Sequence, residues 1–116
     1  MSEHIAVDDD LVRDWLSRDE AAIRLDVPPS KVRQLARDHQ LLMGPGGQVP
    51  ALFLDETGLV KGLAGTLTLL ADAGYDDVES MRWMFTADDS LPGRPIDALR
   101  ENRGTEVRRR AQALGF

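Results

Sequence analysis

The chain has 116 residues, of which 42% are hydrophobic and 29% charged, and its formal net charge is −6. This length favours one compact core with a small appended subdomain, and the low aromatic content of 5% predicts a helix-rich, aliphatic interior. The absence of cysteine excludes disulfide frameworks and zinc fingers, and it makes a reducing cytosol the expected compartment. We expect no signal peptide and no membrane span, because no run approaches about 18 apolar residues.

The negative charge is unevenly distributed along the chain. Residues 1–16 carry a net charge of −4 and residues 55–98 carry −6, whereas residues 17–54 carry +1 and residues 99–116 carry +3. Phosphate binding is mainly electrostatic, so an acidic protein is an unusual nucleic-acid partner. A helix face can nevertheless be strongly positive on an acidic protein, so the charge of local surfaces matters more here than the net charge.

Two helices are predicted at the start of the chain. Apolar residues at helical spacing in LVRDWL (11–16) predict the first of them. Ser17 and Glu20 form a capping-box pattern, which predicts that the second helix, RDEAAIRL, begins at residue 18. DVP (26–28) should end this helix, because a residue that precedes proline is pushed out of the helical region.

A further helix is predicted over residues 29–41, with Pro29 at its first position, where a missing amide hydrogen costs nothing. Its predicted inward stripe consists of Val32, Leu35, Ala36 and His39. The residues outside that stripe include Ser30, Lys31, Arg33, Gln34 and Arg37. Arginine and glutamine suit bidentate contacts with guanine and adenine, so the helix pair is typical of a DNA-reading helix-turn-helix. Two ordinary packed helices with a solvated basic face are the alternative.

The cluster GPGGQVP (44–50) separates two apolar runs, residues 41–43 and 51–54, and predicts a short β-hairpin. A strand pair directly after a recognition helix is the arrangement of a wing, and Gly46, Gly47 and Gln48 at its tip could approach the DNA backbone closely. The tip contains no Lys or Arg, which favours the alternative of a purely structural hairpin. A phosphate-cradling nucleotide loop is disfavoured, because no Gly-Lys-Ser/Thr ending follows.

The second half of the chain predicts a series of helices. They run from Asp55 to about Ala73, through DDVESMRWMF (76–85), through PIDALREN (95–102) and through the final TEVRRRAQALGF (105–116). The three arginines at 108–110 could contact phosphates, or they could form a solvated face on a packing helix. Trp83 is expected in the core, and it would mark a dimer or partner surface if exposed.

Catalytic and metal-binding patterns are absent from the sequence. His4 and His39 have no spacing that pairs them with a carboxylate or a metal, and the many aspartates are explained by capping and solubility. We therefore expect no enzyme activity, no cofactor and no metal site.

The stretch WLSRDEAAIRLDVPPSKVRQLARDHQLL resembles the helix-turn-helix of MerR-like and excisionase-like regulators. From about Trp15 to Phe116, with MRWMFT, RPIDAL and EVRRRAQAL as its most specific elements, the chain resembles an actinobacterial family of winged helix-turn-helix DNA-binding proteins that includes a mycobacterial serine/threonine-kinase substrate. The resemblance implies a cytoplasmic, nucleoid-associated protein and a kinase as a partner. In the relatives, phosphorylation of an N-terminal Thr weakens DNA binding. Residues 1–16 contain Ser2 but no Thr, and this departure weakens the case for kinase control there.

The expected architecture is mainly α, a winged helix-turn-helix with a short β-hairpin wing followed by a small helical C-terminal subdomain. Its parts are an acidic tail at 1–14, the DNA-binding domain at 15–54 and the helical subdomain at 55–116. The predicted partner is double-stranded DNA, contacted by Ser30, Lys31, Arg33, Gln34, Arg37, Gly46, Gly47 and Gln48. The alternative is a protein-interaction adaptor, or a homodimer formed through the C-terminal helices.

Overall fold

The computed structural model describes residues 11–115, and these form six helices and four two-residue strands. The helices are α1 Arg18–Leu25, α2 Pro29–Arg37, α3 Leu63–Asp72, α4 Asp77–Phe85, α5 Pro95–Arg100 and α6 Gly104–Ala113. The strands are β1 Trp15–Leu16, β2 Val49–Pro50, β3 Leu54–Asp55 and β4 Gly58–Leu59, paired antiparallel as β1 with β2 and β3 with β4. The predicted mainly α fold, with a small wing region and a helical C-terminal half, is confirmed.

Local signals in the sequence set the start of α1 and of α2. The Ser17 hydroxyl accepts a hydrogen bond from the Glu20 amide at 3.0 Å, and the Glu20 carboxylate accepts one from the Ser17 amide at 2.8 Å. This is the predicted capping box. Pro28 occupies the N-cap of α2 without a side-chain acceptor, and Pro29 opens the helix. The two prolines thus fix a short, stiff turn between α1 and α2.

The helix predicted over 29–41 is shorter than expected, and His39 does not lie on its inward face. After Arg37 the chain turns at His39, whose φ is +59°, and the amide of Gln40 donates to the carbonyl of Leu35 at 2.9 Å. A hydrogen bond that spans six residues, next to a residue of positive φ, is the Schellman motif of a helix C-terminus. The motif reverses the chain direction and leaves the residue at the turn on the surface. His39 is exposed for that reason.

The helix predicted at residues 11–16 is wrong over Val12–Leu16. Trp15 and Leu16 form β1 and pair with Pro50 and Val49, and the amide of Ala51 donates to the carbonyl of Asp14 at 2.9 Å. Apolar spacing over six residues cannot distinguish a helix from a strand, and here pairing with a distant segment decides the outcome. Residues 1–10 of the acidic tail predicted at 1–14 lie outside the described residues, and the extent of that tail stays a prediction.

The hairpin predicted between residues 41–43 and 51–54 is not formed in that register. Pro45–Gly47 is instead a single 3-10 turn, closed by a hydrogen bond of 2.7 Å from the Gly44 amide to the Gln48 carbonyl. The strand that follows the turn, β2, pairs with β1. Residues 44–48 are called the wing loop below.

The second β-hairpin, β3–β4, occupies the place where a helix was expected to begin. The Asp55 carboxylate accepts hydrogen bonds from the amide and the hydroxyl of Thr57, at 2.8 and 2.6 Å, and so caps a turn rather than a helix. These bonds, those from the Thr57 side chain above all, hold the pKa of Asp55 below its ordinary value. α3 therefore begins only at Leu63, and the prediction of a helix from Asp55 is wrong at its start.

The core joins the two halves of the chain. Phe53 is fully buried, and its ring lies 5.6 Å from that of Phe85 in α4, centroid to centroid. The guanidinium of Arg100 in α5 donates to the carbonyls of Leu52 and Leu54, at 2.9 and 2.8 Å. Residues 52–54, which follow the wing region, are thus held against α4 by an aromatic contact and against α5 by two charge-assisted hydrogen bonds.

A bidentate ion pair fixes the start of α5. The guanidinium of Arg94 donates to both carboxylate oxygens of Asp97, at 2.7 and 2.8 Å, and lies over the Phe85 ring. The hydrogen bonds from Arg94 hold the pKa of Asp97 below its ordinary value of 3.8. Because the folded-state pKa is depressed, the stabilisation is present above the unfolded-state pKa and is lost as the pH falls through the folded-state value.

Asp97→Asn is expected to lower the free energy of unfolding by about 1 kcal/mol at neutral pH, a small effect because the Asp97 side chain is 37% exposed and solvent screens the pair. The difference from the wild type should shrink as the pH is lowered towards about 2.5, because protonation of Asp97 removes the same charge from the wild type. Urea titrations at the two pH values measure this. Asp89→Asn, at an exposed loop position, is the control. An equal loss at both pH values would show that charge is not the cause.

Candidate nucleic-acid interface

One face of α2 presents the side chains that were predicted to read DNA. Ser30, Arg33, Gln34 and Arg37 lie at positions i, i+3, i+4 and i+7, so they share one stripe, and all four are exposed. Val32 on the opposite face is fully buried, while Leu35 and Ala36 are half-buried against the core. Lys31 is exposed beside the stripe. The predicted division of α2 into an apolar and a polar face is therefore observed, except at His39.

The basic side chains of α2 are not engaged within residues 11–115. Lys31, Arg33 and Arg37 have neither an ion pair nor a side-chain hydrogen bond among these residues. Several arginines elsewhere are engaged: Arg94, Arg100, Arg103 and Arg110 contact carboxylates, carbonyls or a hydroxyl. Free guanidinium groups keep their full hydrogen-bonding capacity for an external acceptor.

The wing loop lies next to α2. Gly46 and Gly47 have φ values of +69° and +75°, which side-chain-bearing residues rarely adopt, and this explains the glycine pair. Both glycines and Arg33 line one open hollow of about 250 Å³ with Ser17, Arg18 and Asp19. The structure therefore brings Arg33, Gly46 and Gly47 together. Gln48 is exposed at the end of the loop, outside the hollow.

Arg18 was not predicted as a site residue, yet it lies in the same hollow as Arg33. Its Nε atom is buried without a hydrogen-bond partner in the described part of the chain, and it is 3.9 Å from the nearest carboxylate oxygen of Asp19. Its position directly after the Ser17 cap is the only signal in the sequence that could have found it. Only the fold shows that the first turn of α1 meets α2 and the wing loop.

Trp15 packs against the first residue of the wing loop. Its indole ring packs against Gly44 so closely that a Cβ atom on Gly44 would overlap the ring. Gly44 has a φ of −92°, so the constraint at this position is packing rather than backbone conformation. The start of the wing loop is thus set by β1, more than twenty residues earlier in the chain.

Gly44→Ala is expected to lower the free energy of unfolding by about 1–3 kcal/mol, because the added methyl overpacks the contact with Trp15. Urea unfolding gives the loss, and the tryptophan emission of the native state should change as the ring is displaced. In a Trp15→Leu background the same substitution should cost much less. An equal cost in both backgrounds would exclude ring overlap as the cause.

The three C-terminal arginines do not form a common phosphate-binding face. Arg110 donates to the hydroxyl and the carbonyl of Ser90, at 2.8 and 3.0 Å. These bonds hold the loop between α4 and α5 against α6. Arg108 is partly buried, and Arg109 is exposed. Phe85 is buried and Trp83 is half-buried against the core, as expected for packing residues.

No group of three or more potential metal ligands occurs within residues 11–115. In the same range no helix has the length and apolar character needed to cross a membrane.

Residues 4–54 match the family model described as the winged helix-turn-helix domain of the DNA-binding protein Rv2175c, and residues 60–115 match its C-terminal domain of unknown function. The chain belongs to the Rv2175c family. The DNA-binding protein Rv2175c of Mycobacterium tuberculosis is 42% identical over 108 residues, which cover 79% of this chain and 74% of that protein. The NMR structure of Rv2175c superposes with a TM-score of 0.78 at 39% identity, covering 89% of this chain and 82% of that one.

Membership of the Rv2175c family confirms the predicted resemblance and the winged helix-turn-helix architecture. The likeness to MerR regulators stays a prediction.

Proposed function

We propose that this protein binds double-stranded DNA with α2 in the major groove and acts as a transcriptional regulator. The observation that carries the proposal is the exposed stripe of Ser30, Arg33, Gln34 and Arg37, whose arginines have no partner within residues 11–115 and which lies beside the wing loop. An α-helix fits the major groove, and side chains from one of its faces reach base edges there. Membership of the Rv2175c family supports the DNA-binding part of this proposal.

Two kinds of contact are proposed within this surface. Ser30, Arg33, Gln34 and Arg37 contact base edges, where bidentate hydrogen bonds from Arg and Gln distinguish guanine and adenine. Lys31, together with Arg18 in the hollow, contacts phosphates. The wing-loop residues Gly46, Gly47 and Gln48 approach the DNA backbone closely, because the glycines carry no side chain. Phosphate contacts fix the register of the protein, and base contacts give the sequence preference.

The acidic character of the chain sets the expected mode of binding. With a net charge of −6, non-specific attraction to DNA is weak, and binding depends on the few free cations of the α1–α2 surface. We therefore expect a modest salt dependence and a marked preference for particular sequences. This profile fits a regulator in the cytoplasm better than a protein that coats DNA.

Titration of fluorescently labelled duplexes with the full chain tests the proposal. Binding should weaken as salt rises from about 50 to 200 mM, with a slope near −0.9 per phosphate contact, and only a few contacts are expected. Selection from a random duplex pool should yield a defined sequence. Absence of saturable binding at low salt, with every duplex in the pool, would refute DNA binding.

Self-association through the C-terminal helices is the second candidate function. Val78 in α4 is 38% exposed, and the half-buried Trp83 lines a shallow hollow with Tyr75, Glu79 and Thr86. Sedimentation equilibrium of the full chain decides this question. A monomer over the whole concentration range of DNA binding would exclude a dimer, and the adaptor role would then require a different protein as partner.

A further inference from the structure

A second basic hollow lies between the start of α3 and the start of α6. It belongs to residues 60–115, which match the C-terminal domain of unknown function. It encloses about 280 Å³ and is lined by Lys61, Gly62, Asn102, Gly104, Thr105 and Arg108. Two of its six lining residues are basic and none is acidic, which is unusual in a chain of net charge −6.

Arg108 is the central residue of this hollow. Its guanidinium lies against the chain at Gly62 and Gly104: a Cβ atom on Gly104 would be 3.0 Å from its Nη1 atom, and one on Gly62 would be 3.4 Å away. Its Cδ atom lies beside Gly65. Glycine at these positions leaves the space that the side chain occupies. Arg108 is partly buried and fixed in place by this packing.

The charge on Arg108 is not compensated by its neighbours. It has no hydrogen bond and no ion pair in the stretch from residue 11 to residue 115, and neither has Lys61. The nearest acids in the sequence, Glu101 and Glu106, pair instead with Arg103, at 3.6 and 3.7 Å. Two cations therefore share one hollow without an acceptor, and their donors are available to an external anion.

We propose that this hollow binds the phosphate group of a small molecule. A planar guanidinium and an ammonium group together supply charged donors on two sides of a tetrahedral anion, and Asn102 and Thr105 add neutral donors. The hollow is close to the lower size limit of ligand pockets, which suits a single phosphate group with a small substituent rather than a long polymer. The site is separate from the α2 surface, and it does not depend on the proposed DNA binding.

Amide proton–nitrogen correlation spectra of the isotope-labelled full chain, titrated with inorganic phosphate, test the site. Sodium chloride at matched ionic strength is the reference. We expect saturable shifts at Gly62, Gly104 and Thr105 with phosphate only. Lys61→Gln should weaken phosphate binding about fivefold or more, since a hydrogen bond to a charged group is lost. Arg108→Gln should abolish it.

Arg109→Gln is the matched control, because it removes the same charge from an exposed position on α6. It should leave phosphate binding unchanged. Lys61→Gln keeps the test decisive even if Arg108→Gln impairs folding, since Lys61 is exposed. Equal shifts with chloride, or wild-type phosphate affinity in Lys61→Gln, would overturn the proposal.

A parallel DNA titration distinguishes the two sources of phosphate. The small-molecule site predicts that Lys61→Gln leaves the affinity for duplex DNA within about twofold of the wild type, that is, within about 0.4 kcal/mol. A loss of DNA affinity comparable to that of an α2 variant would mean that the hollow contacts the DNA backbone, and the small-molecule site would then be rejected. Failure of the wild type to bind DNA at all would refute only the proposed function.

Discussion

Arg33→Ala is expected to weaken binding of the selected duplex by about 1–3 kcal/mol, or about 5- to 150-fold in Kd, if the guanidinium contacts a base edge. Arg33 is the α2 residue with the strongest structural case. It is exposed, it has no partner among the described residues, and it lines the same hollow as Arg18 and the wing loop. The substitution removes a guanidinium group, and no neighbouring side chain on α2 places another one at the same position.

Titrations at several salt concentrations separate the two kinds of contact that Arg33 can make. Loss of a base contact should be large on the selected duplex and small on unrelated duplexes. Loss of a phosphate contact should weaken all duplexes alike and reduce the salt slope by about one unit. Arg109→Ala, which removes the same charge from an exposed position on α6, should leave the affinity nearly unchanged. Unaltered affinity of Arg33→Ala on every duplex would remove α2 as the reading element.

Phe53→Ala is expected to lower the free energy of unfolding by about 3–5 kcal/mol, the usual cost of removing a buried aromatic ring. The Phe53 ring is fully buried and contacts Phe85, so the cavity would lie between the winged helix and the C-terminal helices. We therefore expect both halves of the chain to be destabilised together.

Tryptophan fluorescence reports on the two halves separately. Trp15 lies in β1 and Trp83 in α4, and single-tryptophan variants (Trp83→Phe and Trp15→Phe) allow each to be followed during urea unfolding. Phe53→Ala should shift both transitions to the same lower midpoint. Ile23→Ala is the control, because Ile23 is 80% exposed and its loss should cost less than about 0.5 kcal/mol. Two separate midpoints, with only that of Trp15 shifted, would show that the halves fold independently.

A single cooperative unit would give the C-terminal helices a role in positioning the DNA-binding surface. Arg100 donates to the carbonyls of Leu52 and Leu54, directly after the strand that closes the wing loop. This strand is β2, and it pairs with β1, whose Trp15 packs against Gly44. A physical path of contacts therefore runs from α5 to the base of the wing loop. An anion held at Arg108 would act on the same helical half.

The sequence by itself determined the features that depend on neighbouring residues. Ser17 with Glu20 predicted the start of α1, and Pro29 predicted the start of α2. The acidic start of DDVESMRWMF predicted a cap at Asp76 or Asp77, and it is the Asp76 carboxylate that accepts from the Glu79 amide, at 2.8 Å. The i, i+3, i+4 pattern separated the buried face of α2 from its exposed basic face. Such features are readable because each follows from hydrogen bonds or packing within one or two helical turns.

Only the tertiary structure decided the features that join distant segments. The pairing of Trp15–Leu16 with Val49–Pro50 replaced an expected helix, the Asp55–Thr57 turn replaced another helix start, and the folding of the chain brought Arg18 beside Arg33. It also decided which arginines have partners within residues 11–115. Arg100 donates to carbonyls almost fifty residues away in the sequence, whereas Arg33 has no such partner. Periodicity carries no information about such partners, since they are set by long-range packing and not by local spacing.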